Sequence, residues 1–119
     1  MPRKALAGEG IPIRLRVTNA GNHPLTLHLR GRPIAFDIVV SRDDGSVAWR
    51  RLQGSMIAMV LQLRTLEPGE TLLLEDVWQA YVAKGTHVAP GDYTVVGELL
   101  TDAPLPLRTS PAPLRLLAP

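Results

Sequence analysis

The sequence predicts an all-β fold, namely an antiparallel β-sandwich of immunoglobulin-like kind with about seven to eight strands. Apolar and polar residues alternate over several short segments, as expected for strands with one buried face. Turn signals recur about every eight to twelve residues, which is typical of sandwiches. No segment has a convincing helical period, and the 11 prolines and 10 glycines of the chain supply the turns.

Strict alternation marks the first half of the chain. From Ile11 to Val17 every second residue is apolar, and the pattern resumes at Leu25 after turn residues at 19–22. A later turn at 42–46 contains an Asp-Gly pair, which is a strong hairpin signal. The strands predicted in this half span residues 11–18, 25–30, 34–41 and 47–51.

The second half is less regular. Residues 55–63 are predicted as a buried strand, because this nine-residue segment suits a strand better than a helix of typical length. β-Branched and aromatic residues favour a strand at 93–100. The remaining elements are a strand at 71–78, a connector at 79–88, an extended Pro-rich segment at 103–113 and a short final edge strand at 114–117.

A length of 119 residues suits one domain, 1–119, with a single core. We predict that the core spans residues 11–117 and that residues 1–10 form a flexible N-terminal segment. Trp78 is expected in the core. Because it lies at the end of a predicted strand, the alternative is that its side chain is exposed and contacts a binding partner. The other residues expected to be buried are Leu15, Val17, Leu27, Phe36, Ile38, Trp49, Tyr93 and Val95.

Several kinds of chemistry are excluded by composition and spacing. The chain has no cysteine, which excludes disulfides, cysteine-bound zinc, iron–sulfur clusters and thiol nucleophiles. His23, His28 and His87 lack the convergent spacing of a metal site. We therefore expect no metal and no cofactor.

Enzymatic activity has no support in the motifs. No serine lies in a Gly-x-Ser-x-Gly motif, and no glycine pattern suits a phosphate group. Glu75 and Asp76 are adjacent in a predicted strand and point to opposite faces, which is unsuitable for one active site. We expect the protein not to be an enzyme.

The charge of the chain is weakly positive, with a formal net charge of +2 and a sequence pI near 9.5. The best basic cluster, formed by Arg14, Arg16, Arg30 and Arg32, has no interleaved aromatic residues for base stacking. A solvated sheet face explains this cluster better than a nucleic-acid surface. No secretory signal and no run near the roughly 18 apolar residues of a membrane span occur, so we expect a cytoplasmic protein without a membrane or nucleic-acid partner.

Several short motifs follow one another along the chain, namely FDI at 36–38, DGSVAWR at 44–50, GSMI at 54–57, LEPGE at 66–70, Trp78, and PGDYTVVGEL at 90–99. In their order and spacing these motifs resemble the BsuPI family of bacterial intracellular proteinase inhibitors. The resemblance covers residues 15–116. Two positions depart from the expected pattern, since Ile57 replaces an aromatic residue and Ala48 is smaller than the usual aliphatic.

The resemblance implies a small immunoglobulin-like domain that restrains intracellular subtilisin-like serine proteases. An inhibitor of this sort presents a rigid loop that binds the protease cleft as an added strand. One candidate is the segment 53–59, with Ser55, Met56 and Ile57 as contacting residues and Met56 or Ile57 as the anchor. A second is the segment 103–108, where prolines pre-organise the chain. An ordinary strand or connection stays open for either segment.

Two other functions stay open from the sequence. The first is a structural or protein-interaction module that binds a partner, or its own copy, through an edge strand and has no inhibitory activity. The second is carbohydrate binding, which would need an exposed aromatic platform, whereas most of the five aromatic residues are predicted inside. The expected partner is a protein, and the expected state is a monomer or a weak dimer.

Overall fold

Twelve β-strands and no helix occur in the part of the chain that the structure describes. The computed structural model describes residues 4–6, 9–30, 35–53, 60–79, 81–83, 86–101 and 107–117, with the backbone alone at 81–83, 86 and 87. Eight of these strands contain four or more residues, in agreement with the predicted number. The strands are β1 (Lys4–Leu6), β2 (Ile11–Thr18), β3 (Leu25–Arg30), β4 (Phe36–Arg42), β5 (Val47–Arg50), β6 (Leu61–Leu66), β7 (Thr71–Trp78), β8 (Tyr81–Ala83), β9 (Thr86–His87), β10 (Gly91–Leu99), β11 (Leu107–Arg108) and β12 (Ala112–Leu117).

The clearest sequence patterns form the predicted elements. β2, β3 and β7 cover the predicted residues 11–18, 25–30 and 71–78. β4 and β5 form the predicted hairpin, in which the Arg42 N–H donates to the carbonyl oxygen of Ser46 at 2.8 Å. Gly45 has a φ of 86°, a left-handed conformation that glycine adopts without steric cost.

Six strands form the larger sheet, in the order β1–β12–β10–β4–β5, with β11 also paired to β10. β1 and β12 are parallel, and the other pairs in this sheet are antiparallel. The strand predicted at 114–117 is confirmed as part of β12, but β12 is an interior strand, so its predicted place at an edge is wrong. The reason is β1, which the sequence analysis does not predict and which covers the side of β12 away from β10.

Two further antiparallel pairs, β2–β7 and β3–β6, are joined at their turns by Asn19. Its side-chain Nδ2 donates to the carbonyl oxygens of Leu66 at 2.9 Å and His23 at 2.7 Å. Its backbone N–H donates to Glu70, and its carbonyl oxygen accepts from Gly69. A buried amide needs such partners to offset its desolvation, so Asn19 is a structural residue of these turns.

The pair β2–β7 packs against one face of the six-stranded sheet. A Cβ atom placed on Gly97 of β10 would lie only 2.5 Å from Cδ1 of Leu15 in β2, so the two layers are in close contact here. Trp78 of β7 meets Tyr93 of β10 edge-on, with ring centroids 5.9 Å apart. One hydrophobic cluster is shared by the larger sheet and both strand pairs, which is consistent with a β-sandwich.

One contact of Tyr93 supports the immunoglobulin-like prediction. The Tyr93 hydroxyl donates to the carbonyl oxygen of Ala89, four residues upstream, at 2.6 Å. This is the contact of a tyrosine corner, which immunoglobulin-like sandwiches form near the start of one strand. Burial raises the pKa of the Tyr93 hydroxyl. The immunoglobulin-like topology itself stays a prediction.

Most of the predicted core is confirmed, and two residues are exceptions. Val17 and Trp49 are half-buried. Val17 lies one residue before the end of β2, and Trp49 lies on the edge strand β5, where its ring stacks on Trp78 at 6.0 Å. The confirmed residues are Leu15, Leu27, Phe36, Ile38, Trp78, Tyr93 and Val95.

Of the buried strand predicted at 55–63, the structure describes residues 60–63, where a strand is confirmed from Leu61 but its burial is wrong. β6 begins at Leu61, and Leu61 and Leu63 are 56% and 69% exposed. Because side chains alternate along a strand, the buried Leu66 places these two leucines on the face away from the core. The connector predicted at 79–88 also differs, since it contains the antiparallel pair β8–β9.

Candidate functional site

The two segments predicted to contact a protease begin or end in the same part of the molecule. Arg30, the last residue of β3, is the register partner of Leu61, the first residue of β6. The Arg30 N–H donates to the carbonyl oxygen of Leu100 at 3.2 Å, and the Ala35 N–H donates to that of Arg30 at 2.8 Å. Leu107 pairs with Leu99, the residue before Leu100. We call the part of the molecule that contains Arg30, Ala35, Leu61, Leu100 and Leu107 the loop end.

The chain reaches the loop end from β5 as well. The Arg51 N–H donates to the carbonyl oxygen of Ile38, and its Nη1 donates to that of Phe36 at 2.8 Å. The Arg51 guanidinium also lies 3.8 Å from the centroid of the Phe36 ring. Arg51, just before segment 53–59, and Leu107, within segment 103–108, therefore lie near the same end of the sheet. Ser55, Met56 and Ile57 lie outside the described residues, so their predicted role is untested.

A cluster of buried carboxylates lies next to the loop end, on the outer face of the six-stranded sheet. Asp37 of β4 and Glu98 of β10 are register partners, and each side chain is only 9% exposed. Arg50 of β5 donates from Nη1 to Asp37 Oδ2 at 3.0 Å and to Glu98 Oε1 at 3.4 Å. Arg108 of β11 donates from Nε to Glu98 Oε2 at 3.0 Å. The two guanidiniums offset the repulsion between neighbouring buried carboxylates.

The same cluster holds the backbone where the chain leaves β5. Asp37 Oδ1 accepts hydrogen bonds from the Leu52 N–H at 3.0 Å and from the Ile38 N–H at 2.9 Å. Asp37 is thus linked both to Leu52 and, through Arg50 and Glu98, to Arg108. We call Asp37, Arg50, Glu98 and Arg108 the carboxylate network. It connects the residues that precede the first candidate segment with the last residue of the second.

A groove of about 370 Å³ lies beside the carboxylate network. Its polar lining includes Arg50 and Arg108, and its apolar lining comes from β4, β5, β10 and the residues before β12. The apolar lining residues are Val39, Val47, Val96 and Pro111. Arg50 and Arg108 are 45% and 63% exposed, so both guanidiniums are accessible from solvent. The site can therefore present guanidinium N–H donors next to an apolar surface.

Exposed apolar side chains also lie at the loop end. Leu61 and Leu63 are exposed on β6, Val60 precedes them, and Leu107 begins β11. Single exposed leucines are common on soluble proteins, whereas several near one end favour a protein contact. The described surface at this end is thus suited to binding another protein.

The neighbouring acidic residues Glu75 and Asp76 form ion pairs with two different arginines. Glu75 and Asp76 do point to opposite faces, since Glu75 binds Arg14 at 3.0 Å and Asp76 binds Arg51 at 2.7 Å. The Arg14 side chain is thus paired, and Arg32 lies outside the described residues. No group of three or more His, Asp or Glu residues in the described ranges could hold a metal ion. No helix long and apolar enough to cross a membrane occurs in those ranges.

The carboxylate network is the part of this site that sequence reasoning missed. Asp37 and Glu98 are single acidic residues inside the otherwise apolar segments 36–40 and 95–99. An isolated acidic residue in such a segment is the sequence feature that could have indicated a buried ion pair. Their pairing depends on the register between β4 and β10, which lie far apart in the chain. The partner arginines come from two further strands, so no local pattern indicates the network.

Comparison with known proteins identifies one family. A family model described as BsuPI, intracellular proteinase inhibitor, matches residues 3–104 of the chain, from β1 to β10. This match confirms the resemblance read from the motifs. No curated protein matches the chain. β11, which carries Arg108, and β12 lie beyond the matched residues.

Proposed function

The chain belongs to the BsuPI family of intracellular proteinase inhibitors, and from this we propose that it inhibits a subtilisin-like serine protease by presenting a loop to the active-site cleft. The family match carries the inhibitor function. The choice of a subtilisin-like serine protease and of a loop as the contact goes beyond the family match. We further propose that the protein acts in the cytoplasm as a monomer or weak dimer, and that it needs no cofactor and catalyses no reaction.

The architecture supports a loop-based mechanism. Binding a flexible loop costs conformational entropy, so an inhibitor gains affinity when a rigid scaffold fixes both ends of the loop. The carboxylate network and the Arg51 contacts hold residues 50–52 against β4. The backbone around Arg30, Ala35 and Leu100 is hydrogen-bonded as well. Loops that start from such a base suit addition to a protease cleft as an extra strand.

At the level of residues, we propose that Ser55, Met56 and Ile57 contact the protease, with Met56 or Ile57 in the specificity pocket. Both side chains are apolar and of a size that fits a hydrophobic pocket. The segment 103–108 is the alternative contact. The two segments make different predictions for mutagenesis, so the choice between them is testable.

The first experiment titrates an intracellular subtilisin-type protease with the protein and then measures the intact mass of the protein. Stoichiometric inhibition with an unchanged mass, or with a single slow cleavage, is the expected result. A slow cleavage within 53–59 or 103–108 would identify the contacting loop. Rapid fragmentation without inhibition would contradict the proposal.

Two matched substitutions then assign the loop. Met56→Glu places a charge in the first candidate segment, and Leu105→Glu places the same charge in the second. We expect Met56→Glu to weaken inhibition by about 100-fold, because a buried unpaired carboxylate in an apolar pocket costs several kcal/mol. Leu105→Glu serves as the control with little effect. The reverse pattern would assign the contact to 103–108.

A second candidate function is that of a protein-interaction module without inhibitory activity. The exposed Leu61 and Leu63 on β6 favour it, because they are available to a partner or to a second copy. Light scattering over a range of concentrations separates the two functions. Oligomers that grow with concentration, together with no effect on proteases, would favour the module.

A further inference from the structure

The most exposed charged groups in the groove beside the carboxylate network are the guanidiniums of Arg50 and Arg108. Its polar lining consists of Ser41, Arg50, Glu98, Arg108 and Thr109. Glu98 is the one acidic residue among these described lining residues, and its side chain is nine-tenths buried. A ligand entering the groove therefore meets guanidinium groups first, while the compensating carboxylates lie beneath them.

The two guanidiniums are fixed in place before any ligand binds. Arg50 uses Nη1 on both buried carboxylates, and Arg108 uses Nε on Glu98. Each guanidinium has five N–H donors in a rigid plane, so these bonds leave further donors on the same group. Holding a guanidinium by buried carboxylates removes rotamer freedom that free arginines lose only on binding.

We infer that this groove binds an acidic segment of the partner protein, with carboxylates on Arg50 and Arg108 and neighbouring aliphatic groups on Val39, Val96 and Pro111. Arginine pairs well with carboxylates because its planar fork matches their two oxygens. The apolar lining suits the aliphatic part of a segment that alternates acidic and apolar residues. The identification of the partner as a protease rests on the proposed function, whereas the ligand chemistry does not.

The position of the groove explains why one partner would use it together with the loop end. Arg50 lies three residues before segment 53–59, and Arg108 is the last residue of segment 103–108. A protease engaged at the loop end would therefore have its surface outside the active-site cleft close to the groove.

A direct binding experiment uses two labelled peptides and fluorescence polarisation. The probe is fluorescein-Gly-Leu-Glu-Glu-Leu-Gly-amide, and the control peptide has Gln in place of both Glu residues. We expect the acidic peptide to bind about tenfold more tightly than the Gln peptide, and Arg108→Gln to remove about tenfold of its affinity. Equal binding of the two peptides, or no binding of the acidic peptide, would overturn the inference.

Two further variants keep the result interpretable. Arg115→Gln removes the same charge from an exposed ion pair on β12, outside the groove, and should leave peptide affinity within about twofold of wild type. An equal loss in Arg115→Gln would show unspecific attraction and contradict the inference. Arg50→Lys keeps a charge on the buried carboxylates but lacks the planar fork, and should weaken acidic-peptide binding even where Arg108→Gln fails to fold.

The outcome separates this inference from the proposed function. Selective binding of the acidic peptide by a protein that inhibits no protease would support the groove and reject the inhibitor. Protease inhibition that is equal in wild type and Arg108→Gln at all salt concentrations, without peptide selectivity, would reject the groove and support the inhibitor.

Discussion

An ion pair of the carboxylate network differs in burial from an ion pair on the exposed face of β2–β7. The Arg50–Asp37 and Arg14–Glu75 pairs have the same N–O distance, 3.0 Å. The Asp37 side chain is 9% exposed, however, whereas those of Arg14 and Glu75 are 53% and 59% exposed. Burial of the carboxylate, and not distance, therefore distinguishes the pairs, because water can readily replace the arginine at Glu75 but not at Asp37.

The largest expected loss of stability comes from removing Arg50 from the carboxylate network. Arg50→Ala should lower the free energy of unfolding by about 3 kcal/mol, because it leaves Asp37 without its ionic partner and Glu98 with Arg108 alone. Urea denaturation measures the change. Arg50→Lys is the control and should lose less stability, because lysine keeps a positive charge near the two carboxylates. A loss below about 1 kcal/mol would show that Arg50 contributes no more to stability than an exposed ion pair does, and would contradict the prediction.

A somewhat smaller effect is expected at Gly97, which lies next to Glu98 on the core side of β10. Gly97→Ala should lower the free energy of unfolding by about 1–2 kcal/mol, because its Cβ would lie 2.5 Å from Leu15 Cδ1 and force this buried side chain to move. Adding Leu15→Ala to this variant tests the cause by urea denaturation. The double variant should be about as stable as Leu15→Ala alone. Additive losses would show that the crowding lies elsewhere.

The exposed ion pair Arg14–Glu75 should contribute less to stability than either of these changes removes. A double-mutant cycle of Arg14→Gln and Glu75→Gln should give a coupling energy of about 0–1 kcal/mol, since both side chains are more than half exposed. The coupling should weaken further in 1 M salt. A coupling energy as large as the loss of unfolding free energy in Arg50→Ala would show that burial of the carboxylate does not determine the strength of these ion pairs.

The smallest expected effect is a pH dependence at the exposed pair Arg115–Asp92. Hydrogen bonding to Arg115 and its charge lower the pKa of the Asp92 carboxyl below 3.8. A lowered pKa stabilises the fold above the unfolded-state pKa, and this contribution is lost as the pH falls through the folded-state pKa. The difference in Tm between wild type and Asp92→Asn should therefore narrow as the pH falls below 3.8. Arg115→Gln should show the same narrowing, and a constant difference would contradict this assignment.

Local patterns predicted the strands with one buried face. In β2, β3 and β7 the alternation of side chains depends only on neighbouring residues, and the Asp-Gly hairpin likewise needs only local chemistry. β1 was missed because three residues carry too little periodicity, and its pairing with β12 joins the two ends of the described chain. The burial predicted for Leu61 and Leu63 failed because the sequence does not show which face of β6 meets the core.

The sequence by itself determined the all-β class, the main strands, most of the core and the family. These follow from alternation, turn residues and the order of motifs, all of which are local or nearly local properties. The tertiary structure alone decided that Asp37, Arg50, Glu98 and Arg108 meet, and that the described residues next to the two candidate segments lie at one end of the molecule. The physical reason is register. One residue of slip between β4 and β10 would shift every facing side chain to the other face of the sheet, and only the packed core selects the correct alignment.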